Sequence, residues 1–195
     1  MATLPPPSLT LETKNFLIRP ISGADLGERL SGWADDELAA EMLNTKRRQW
    51  AVREQTAFFA KFENQPGKLA LAILPRGEPH PIGFYTLHLQ PRIGVFTISH
   101  LIGDANWRGK DLTTETSDAI YGYLFDKLGY AKAKANVRPQ NRPMLWLMLS
   151  DKIWRKEARL VRHLRDAATG ERKDMLVLGM MADDWRTARA PRPAA

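Results

Sequence analysis

The amino-acid sequence predicts an α/β fold of the mixed α+β kind, with a central, mostly antiparallel sheet of about seven strands flanked by helices. Two observations carry this prediction. Three short strand-like segments follow one another with only turn-like sequence between them, which is typical of an antiparallel meander. Segments with apolar residues at helical spacing precede and follow this meander, and two more strand-like segments around a glycine close the chain.

The N-terminal third predicts one strand followed by helices. Leu11 to Ile21 is short, contains β-branched and aromatic residues and runs into Ser and Gly, so we expect a strand. Asp25 to Leu43 is rich in Leu, Ala and Glu and predicts one broken helix or two short ones. Arg53 to Asn64 places its aromatic residues on one face and predicts a further helix, which Pro66 and Gly67 end.

The middle of the chain predicts the meander and the longest helix. The three strands are expected at Leu69 to Leu74, Ile82 to Leu89 and Gly94 to Ile102. Leu112 to Leu128 then carries apolar residues at helical spacing and stops at Gly129, a favourable residue just beyond a helix end.

The C-terminal third predicts a strand, a helix and a hairpin. Ala131 to Val137 alternates small apolar residues with Lys and predicts the fifth strand, and Met144 to about Lys152 predicts an apolar helix. Ala158 to Asp166 and Asp174 to Met181 predict two strands joined by a turn. The sequence leaves open whether the basic segment from residue 152 onward continues the helix or forms the sixth strand.

The composition is that of one globular domain. The chain has 195 residues, of which 44% are apolar and 26% charged, and no apolar run is long enough for a membrane span. We expect residues 1–8 to be a flexible lead-in, residues 9–185 to form the domain and residues 186–195 to be a basic tail rich in Pro and Ala. Two small domains stay open on length alone.

The charge and the lack of cysteine limit the chemistry. Without cysteine there is no disulfide, thiolate metal site or cysteine nucleophile, and a reducing cytoplasm fits this composition. The first ten residues lack the basic and apolar stretches of a secretory signal. The net charge of +7 favours anionic partners such as phosphorylated cofactors, nucleic acid or acidic proteins, although it also serves ordinary solubility.

The loop before the longest helix, NWRGKDLTTE, is the motif that points to a function. A helix start offers unpaired amides and partial positive charge, which together bind anions. Asp111 stands where this helix is expected to begin. Aspartate is a favoured residue there because its carboxylate accepts the amides two or three residues on, so we expect Asp111 to cap the helix. The helix would then have fewer amides to offer a phosphate.

With this loop between the fourth strand and the main helix, the chain resembles the GNAT superfamily of acyl-coenzyme A N-acyltransferases from about Leu11 to Trp185. LIGDANWRGK is similar to the passage from strand to phosphate loop, KLGYAKAKANVRPQN to the fifth strand and the asparagine after it, and ERKDMLVLGMMADDW to the closing strand. The likeness is greatest to the branch that acetylates ribosomal-protein N-termini and small amines. It implies a GNAT-like twisted sheet.

This resemblance implies the site and the reaction. Acetyl-CoA, or another acyl-CoA, is the expected co-substrate, no metal takes part, and a small-molecule or peptide amine attacks the thioester directly in a ternary complex. A homodimer is a further hypothesis. Amides of the loop and of the fourth strand would hold the pyrophosphate and polarise the carbonyl, and an asparagine would bind the pantetheine. The implied cofactor-binding residues are Leu101, Ile102, Arg108, Gly109, Lys110, Asp111, Leu112, Thr113 and Asn141.

Two departures weaken the expectation of catalysis. The two glycine positions of the family loop fall on Asp111 and Thr113, and a carboxylate at about 5 Å from a pyrophosphate costs several kcal/mol unless it is compensated. The helix that follows Asn141 carries Met144 and Met148 near the place of the family's Tyr or Ser proton donor, and methionine cannot donate a proton. Ser150 is the weak candidate that is left for this role.

His100, near the end of the fourth strand, is the candidate general base because histidine titrates near neutral pH. His88 on the neighbouring strand is a weaker alternative, and either residue could instead be an ordinary strand histidine. Two histidines without a nearby carboxylate do not make a zinc site.

Two further interpretations stay open. The altered loop and the missing proton donor fit a catalytically degenerate GNAT-like module that binds or regulates. The segment KIWRKEARLVRHLR, if helical, would be amphipathic and basic and could contact nucleic acid, although such a face more often covers a core. We expect neither nucleic-acid nor membrane binding.

Overall fold

The computed structural model describes residues 1–63, 65–108, 111–150 and 152–190, apart from the side chains of residues 42 and 43. Its centre is one open sheet, which confirms the predicted mixed α/β class with eight strands in place of about seven. The strands are β1 (Leu11–Glu12), β2 (Phe16–Pro20), β3 (Lys68–Pro75), β4 (Gly83–Gln90), β5 (Val95–Ile102), β6 (Lys132–Val137), β7 (Arg155–Arg165) and β8 (Arg172–Met181).

The first five α-helices follow the predicted order, and a sixth helix after the last strand was not predicted. Residues 25–43 form two short helices, so the alternative of one broken helix is excluded. The main helix continues into a π-helical segment, Tyr123–Lys127, and ends at Gly129, which has φ 75°. The α-helices are α1 (Glu28–Trp33), α2 (Glu37–Leu43), α3 (Val52–Glu63), α4 (Leu112–Gly122), α5 (Arg142–Leu149) and α6 (Ala182–Arg189).

The first predicted strand is divided in two. Thr13 closes a tight turn between β1 and β2, because its amide donates to the Phe16 carbonyl and its hydroxyl accepts the Phe16 amide. Asn15, at the tip of this turn, donates its backbone and side-chain N–H groups to the Glu115 carboxylate of α4, each at 2.8 Å. The turn is therefore held by a residue that lies far away in the sequence.

Two cores cover the two faces of the sheet. On one face, α4 packs Leu112 and Ile120 on the strands and the π-helical segment adds Leu124, and we call this the α4 face. On the other, α1, α2 and α3 cover β2 to β5 with Leu30 and Phe59 among the buried residues, and we call this the α1–α3 face. Because side chains alternate along a strand, each strand residue belongs to one of these faces.

The sheet opens between β5 and β6. The strand order is β1-β2-β3-β4-β5-β6-β8-β7, and every neighbouring pair is antiparallel except β5 and β6. That parallel pair is held over only three positions, from Val95 with Lys132 to Thr97 with Lys134. Beyond Thr97 the two strands pair no further, so their C-terminal halves separate and leave backbone groups without a strand partner.

The basic segment after α5 is a strand. β7 begins at Arg155 and pairs with β8 through two irregularities, the second between Leu160 and Leu164. The hypothesis of an amphipathic basic helix is therefore wrong, because the backbone of this segment bonds to β8. Trp154, just before β7, is buried, whereas Trp146 on α5 is 74% exposed.

The N-terminal residues touch the core at two points. Ala2 and Leu9 are buried, and the Thr3 amide donates to the Leu128 carbonyl. The predicted limits of the domain, including the lead-in at residues 1–8 and the tail from residue 186, stay predictions. Within the part of the chain that the structure describes, no helix is both long and apolar enough to cross a membrane.

Candidate functional site

A cavity of about 820 Å³ occupies the opening between β5 and β6. Its walls come from both faces of the sheet, because the separated strands leave a passage from one face to the other. The α4 face contributes Ser117 and Tyr121, and the α1–α3 face contributes Leu38 and Ala39 of α2. The cavity volume is in the range of small-molecule sites.

Backbone amides at the end of β5 point into this opening. The Gly94 carbonyl accepts from the Lys132 amide of β6, so even-numbered residues of β5 direct their peptide groups toward β6. The amides of His100 and Ile102 therefore face the cavity. Leu101 directs its amide toward β4, where Leu101 pairs with Phe84. The amide of Leu101, which was predicted to bind the cofactor, therefore lies in the sheet ladder, and the amide of His100 faces the opening instead.

Asp111 occupies the N-cap position of α4 without capping it. Its φ of −67° and ψ of 6° lie outside the extended region that a capping residue normally adopts, and its side chain makes no capping hydrogen bond. The predicted cap is therefore wrong. Leu112 is buried and Thr113 lines the cavity, so the uncapped first turn of α4 presents its amides beside the opening.

Arg108 is directed back into the protein. Its Nε donates to the Ile102 carbonyl at 3.0 Å, Nη2 to the Gly103 carbonyl at 3.1 Å, and Nη1 lies 3.0 Å from an Asp36 carboxylate oxygen. Burial alone would raise the pKa of Asp36, but bonds from Arg108 and the Ala39 amide hold it below its ordinary value. Arg108 thus fastens the loop to β5 and α2 and is not aimed at a phosphate.

Gly109 and Lys110, which were predicted to bind the cofactor, lie outside the described residues. The described part of the loop therefore ends at Arg108 and resumes at Asp111.

His100 lines the cavity from the α4 face, where its ring lies 5.3 Å from that of Tyr85. Burial lowers the pKa of His100 to about 4, so the imidazole is neutral at neutral pH. His88 lies on the opposite face, against Phe62, and burial followed by the charge of Lys68 lowers its pKa. The two histidines therefore do not share a groove.

Asn141 sits at the start of α5 and lines the cavity. Its Oδ1 accepts the Met144 amide at 3.2 Å, which is a helix cap. Its Nδ2 has no hydrogen-bond partner among the residues that the structure describes. The Oδ1 atom thus caps the helix, whereas Nδ2 can donate a hydrogen bond to a ligand, which fits the implied contact with the pantetheine.

The proton-donor candidate lies elsewhere. Ser150 is exposed at the end of α5, outside the cavity wall, and its hydroxyl donates to the Leu147 carbonyl at 3.2 Å. Ile153 and Trp154, which stand in the region of the family's Gly-Phe pair, are buried in the core of the α4 face. Tyr121 of α4 brings a phenol to the cavity wall, a position that the sequence did not single out.

Sequence reasoning also missed two charged groups in the cavity wall. Arg189 of α6 binds the Asp118 carboxylate through Nε at 2.8 Å and Nη2 at 2.9 Å, and Trp185 Nε1 donates to the same carboxylate. Arg138, just after β6, lines the wall as well. The alternation of KAKANVR was the available signal, since it puts Arg138 on the face opposite the buried Val137.

Comparison with known proteins found a matching family model and solved structures that share the fold. Residues 15–150 match the model described as an acetyltransferase (GNAT) domain. Among solved structures, a GCN5-related N-acetyltransferase from Brucella melitensis has a TM-score of 0.79 at 19% identity, over 97% of this chain and 86% of that one. A search of curated proteins found no significant match.

Two further solved structures share the fold. Mycobacterium smegmatis RimJ in complex with CoA-disulfide has a TM-score of 0.72 at 18% identity, over 91% of this chain and 89% of that one. A spermidine N-acetyltransferase chimera from Vibrio cholerae and hSSAT has a TM-score of 0.69 at 16% identity, over 87% of this chain and 97% of that one. At these identities the likeness is one of fold.

Proposed function

Because the chain belongs to the GNAT acetyltransferase family, we propose that it transfers the acetyl group of acetyl-CoA to an acceptor amine held in the cavity between β5 and β6. The observation that carries this proposal is the opening itself. Two parallel strands separate after three pairs, beside a helix start whose amides are uncapped. This arrangement offers an extended ligand a slot for its body and an anion site for its phosphates.

The residues around the opening fit the parts of acetyl-CoA. The first-turn amides of Leu112 and Thr113 would receive the pyrophosphate, and Asn141 Nδ2 would donate to the pantetheine. The amides of His100 and Ile102 would donate to the thioester oxygen, whose negative charge grows as the amine attacks. Acetyl-CoA supplies the activated acetyl group, and the protein supplies position and hydrogen bonds.

The reaction needs one proton to leave the amine and one to reach the sulfur. The neutral amine forms the carbon–nitrogen bond, the carbon–sulfur bond breaks, and the electron pair leaves on sulfur. His100 is neutral at neutral pH, so it could accept the amine proton directly or through water, but a pKa of about 4 makes it a weak base that passes this proton on to water. Tyr121 or water returns a proton to the thiolate.

Calorimetric titration of acetyl-CoA into the protein at low and moderate salt tests the first step. We expect a dissociation constant in the micromolar range that weakens as salt rises, because the ligand is strongly anionic. Release of free CoA thiol on addition of an amine panel then tests transfer. No binding at millimolar acetyl-CoA would contradict the proposal. Binding without transfer to any amine would identify the alternative, a degenerate binding module.

A further inference from the structure

Arg138 is a nearly buried cation in the wall of the cavity. It follows β6, on the face opposite the buried Val137, and its side chain is only 10% exposed. Among the residues that the structure describes, it forms one ion pair, from Nη1 to the Asp166 carboxylate in the turn between β7 and β8, and this pair is long at 3.4 Å. The guanidinium therefore keeps donor groups that could bind a further anion in the cavity.

Asp166 is committed mainly to its own turn. Its Oδ1 accepts the amides of Ala168 and Thr169 and the Thr169 hydroxyl, at 2.9 to 3.1 Å. The pKa of Asp166 is lowered, first by the Thr169 amide and least by the charge of Arg138. The Nε and Nη2 groups of Arg138 have no hydrogen-bond partner among the described residues, so they are left for a ligand in the cavity.

The cavity wall combines apolar side chains with uncharged polar ones on the side where Arg138 lies. Leu164 of β7, Met175 of β8, Leu38 of α2 and Leu101 of β5 line the cavity, together with the amides Asn44 and Asn136. Among the described residues that line the cavity, the carboxylates are Asp111 and Asp118 of the α4 side, and Asp118 is bound by Arg189. Asp166 is the carboxylate next to Arg138 among the described residues, and it is held by its own turn, so this part of the cavity offers a polycationic amine little negative charge.

We propose that the acceptor is an amine that also carries a carboxylate and an apolar body, as an amino acid or a short peptide does, and that Arg138 binds this carboxylate. This inference rests on the proposed acetyl transfer. The planar guanidinium is always charged and can donate two parallel bonds to a carboxylate. The leucine and methionine side chains would contact the apolar body, and the amine would face the opening between β5 and β6.

A matched set of acceptors tests the substrate class. With acetyl-CoA saturating, CoA release is measured for leucine against leucinamide and for glycyl-leucine against glycyl-leucinamide, with spermidine as the polycation. The amides keep the shape of the acids and remove the negative charge. In at least one of the two pairs, we expect kcat/KM to be at least tenfold higher for the acid than for its amide. Spermidine should have the lowest kcat/KM.

Arg138→Gln should remove this preference, raising KM for the acid at least tenfold and leaving the amide unchanged. Arg138→Lys should restore part of it, because lysine keeps the charge and loses the second bond. Arg92→Gln, an exposed arginine in the turn between β4 and β5, is the control for net charge.

The outcomes separate the two proposals. If acids and amides react equally, or if Arg138→Gln slows both alike, the carboxylate site is wrong while acetyl transfer stands. If Arg138→Gln weakens acetyl-CoA binding in calorimetry and leaves the acid preference intact, Arg138 serves the cofactor and the inference is overturned. If no amine is acetylated by the unaltered protein, the proposed function itself fails.

Discussion

Asp111 is a carboxylate at the start of α4, where we propose that the pyrophosphate of acetyl-CoA binds. It lines both the main cavity and a shallower groove formed with Lys14, Arg76 and Trp107. Its carboxylate makes no capping bond, so it adds negative charge at the start of α4 without satisfying a helix amide. The charge thus opposes a bound pyrophosphate and contributes little to the helix in return.

Asp111→Asn should therefore bind acetyl-CoA more tightly than the unaltered protein. Two phosphate charges at about 6 Å in a watery surrounding are worth roughly 1 kcal/mol, which corresponds to about a threefold to tenfold lower dissociation constant. Calorimetry at two salt concentrations measures this, and the gain should shrink as salt rises. Asparagine keeps the size of the side chain, so the melting temperature should hardly change.

Glu78→Gln is the matched control for Asp111→Asn, because Glu78 is an exposed carboxylate in the turn between β3 and β4. It should leave the affinity for acetyl-CoA unchanged. An equal affinity for Asp111→Asn and the unaltered protein would mean that the carboxylate does not face the phosphates. A clear loss of melting temperature would mean that Asp111 caps the helix in solution.

The hairpin of β7 and β8 contributes Leu164 and Met175 to the cavity wall, on the side where we propose that the acceptor binds, and the end of α2 is hydrogen-bonded to this hairpin. Asn44, which ends α2 with φ 52°, donates Nδ2 to the Arg165 carbonyl at 3.0 Å and accepts the Ala167 amide at 3.1 Å. Asparagine suits this position because it tolerates a left-handed backbone conformation and its side-chain amide can both donate and accept a hydrogen bond.

Asn44→Gly should loosen this hairpin selectively. Glycine adopts the same backbone without strain and removes both hydrogen bonds, at a cost to folding of about 1–2 kcal/mol. We expect faster amide exchange in residues 165–171 and a higher KM for the acceptor, with acetyl-CoA affinity unchanged. Lys46→Gly puts a glycine in the same loop and leaves the hydrogen bonds of Asn44 intact. Equal amide-exchange rates in the two variants would contradict a stabilising role for the hydrogen bonds between Asn44 and the hairpin.

The elements that the sequence predicted correctly are those with a local pattern. β5 and α4 show alternation or helical spacing along their own length, so their existence and type follow from neighbouring residues. The sequence predicted a strand over Ala158 to Asp166 but left open whether the basic segment from residue 152 onward continues the helix, and pairing with β8 decides this. The division between β1 and β2 depends on a partner far along the chain, Glu115. The same holds for the site, since the inward turn of Arg108 and the exposure of Arg138 to the cavity follow from packing.

The molecule as a whole is expected to lose stability in acid in two steps. Carboxylates with lowered pKa values, such as Asp25, Asp36 and Glu115, are stabilising above their unfolded pKa and lose this contribution as the pH falls through the folded pKa. In Asp25 and Asp36, burial opposes the lowering, and bonds from Arg19 and Arg108 overcome it. These losses fall below about pH 4.

Between about pH 6.5 and 4, the change in stability with pH depends on the titration of histidine. His100 has a folded pKa of about 4, so in this range the unfolded chain binds a proton that the folded chain does not. Stability therefore falls as the pH drops from 6.5 to 4, by roughly 1–3 kcal/mol for this residue, and does not depend on it above 6.5. The lowered pKa of His88 acts in the same direction.

His100→Gln should flatten this dependence, because glutamine keeps a polar group of similar length and does not titrate. Urea unfolding at pH 7.5, 6 and 5 measures it: the variant should lose less stability between pH 6 and 5 than the unaltered protein does. His88→Gln is the comparison, and its effect should be smaller because its side chain is in greater contact with water. Parallel curves for His100→Gln and the unaltered protein would mean that His100 titrates normally in the folded state. His100 would then be a stronger base than its burial implies, and the rate of acetyl transfer should fall as the pH drops below about 6.5.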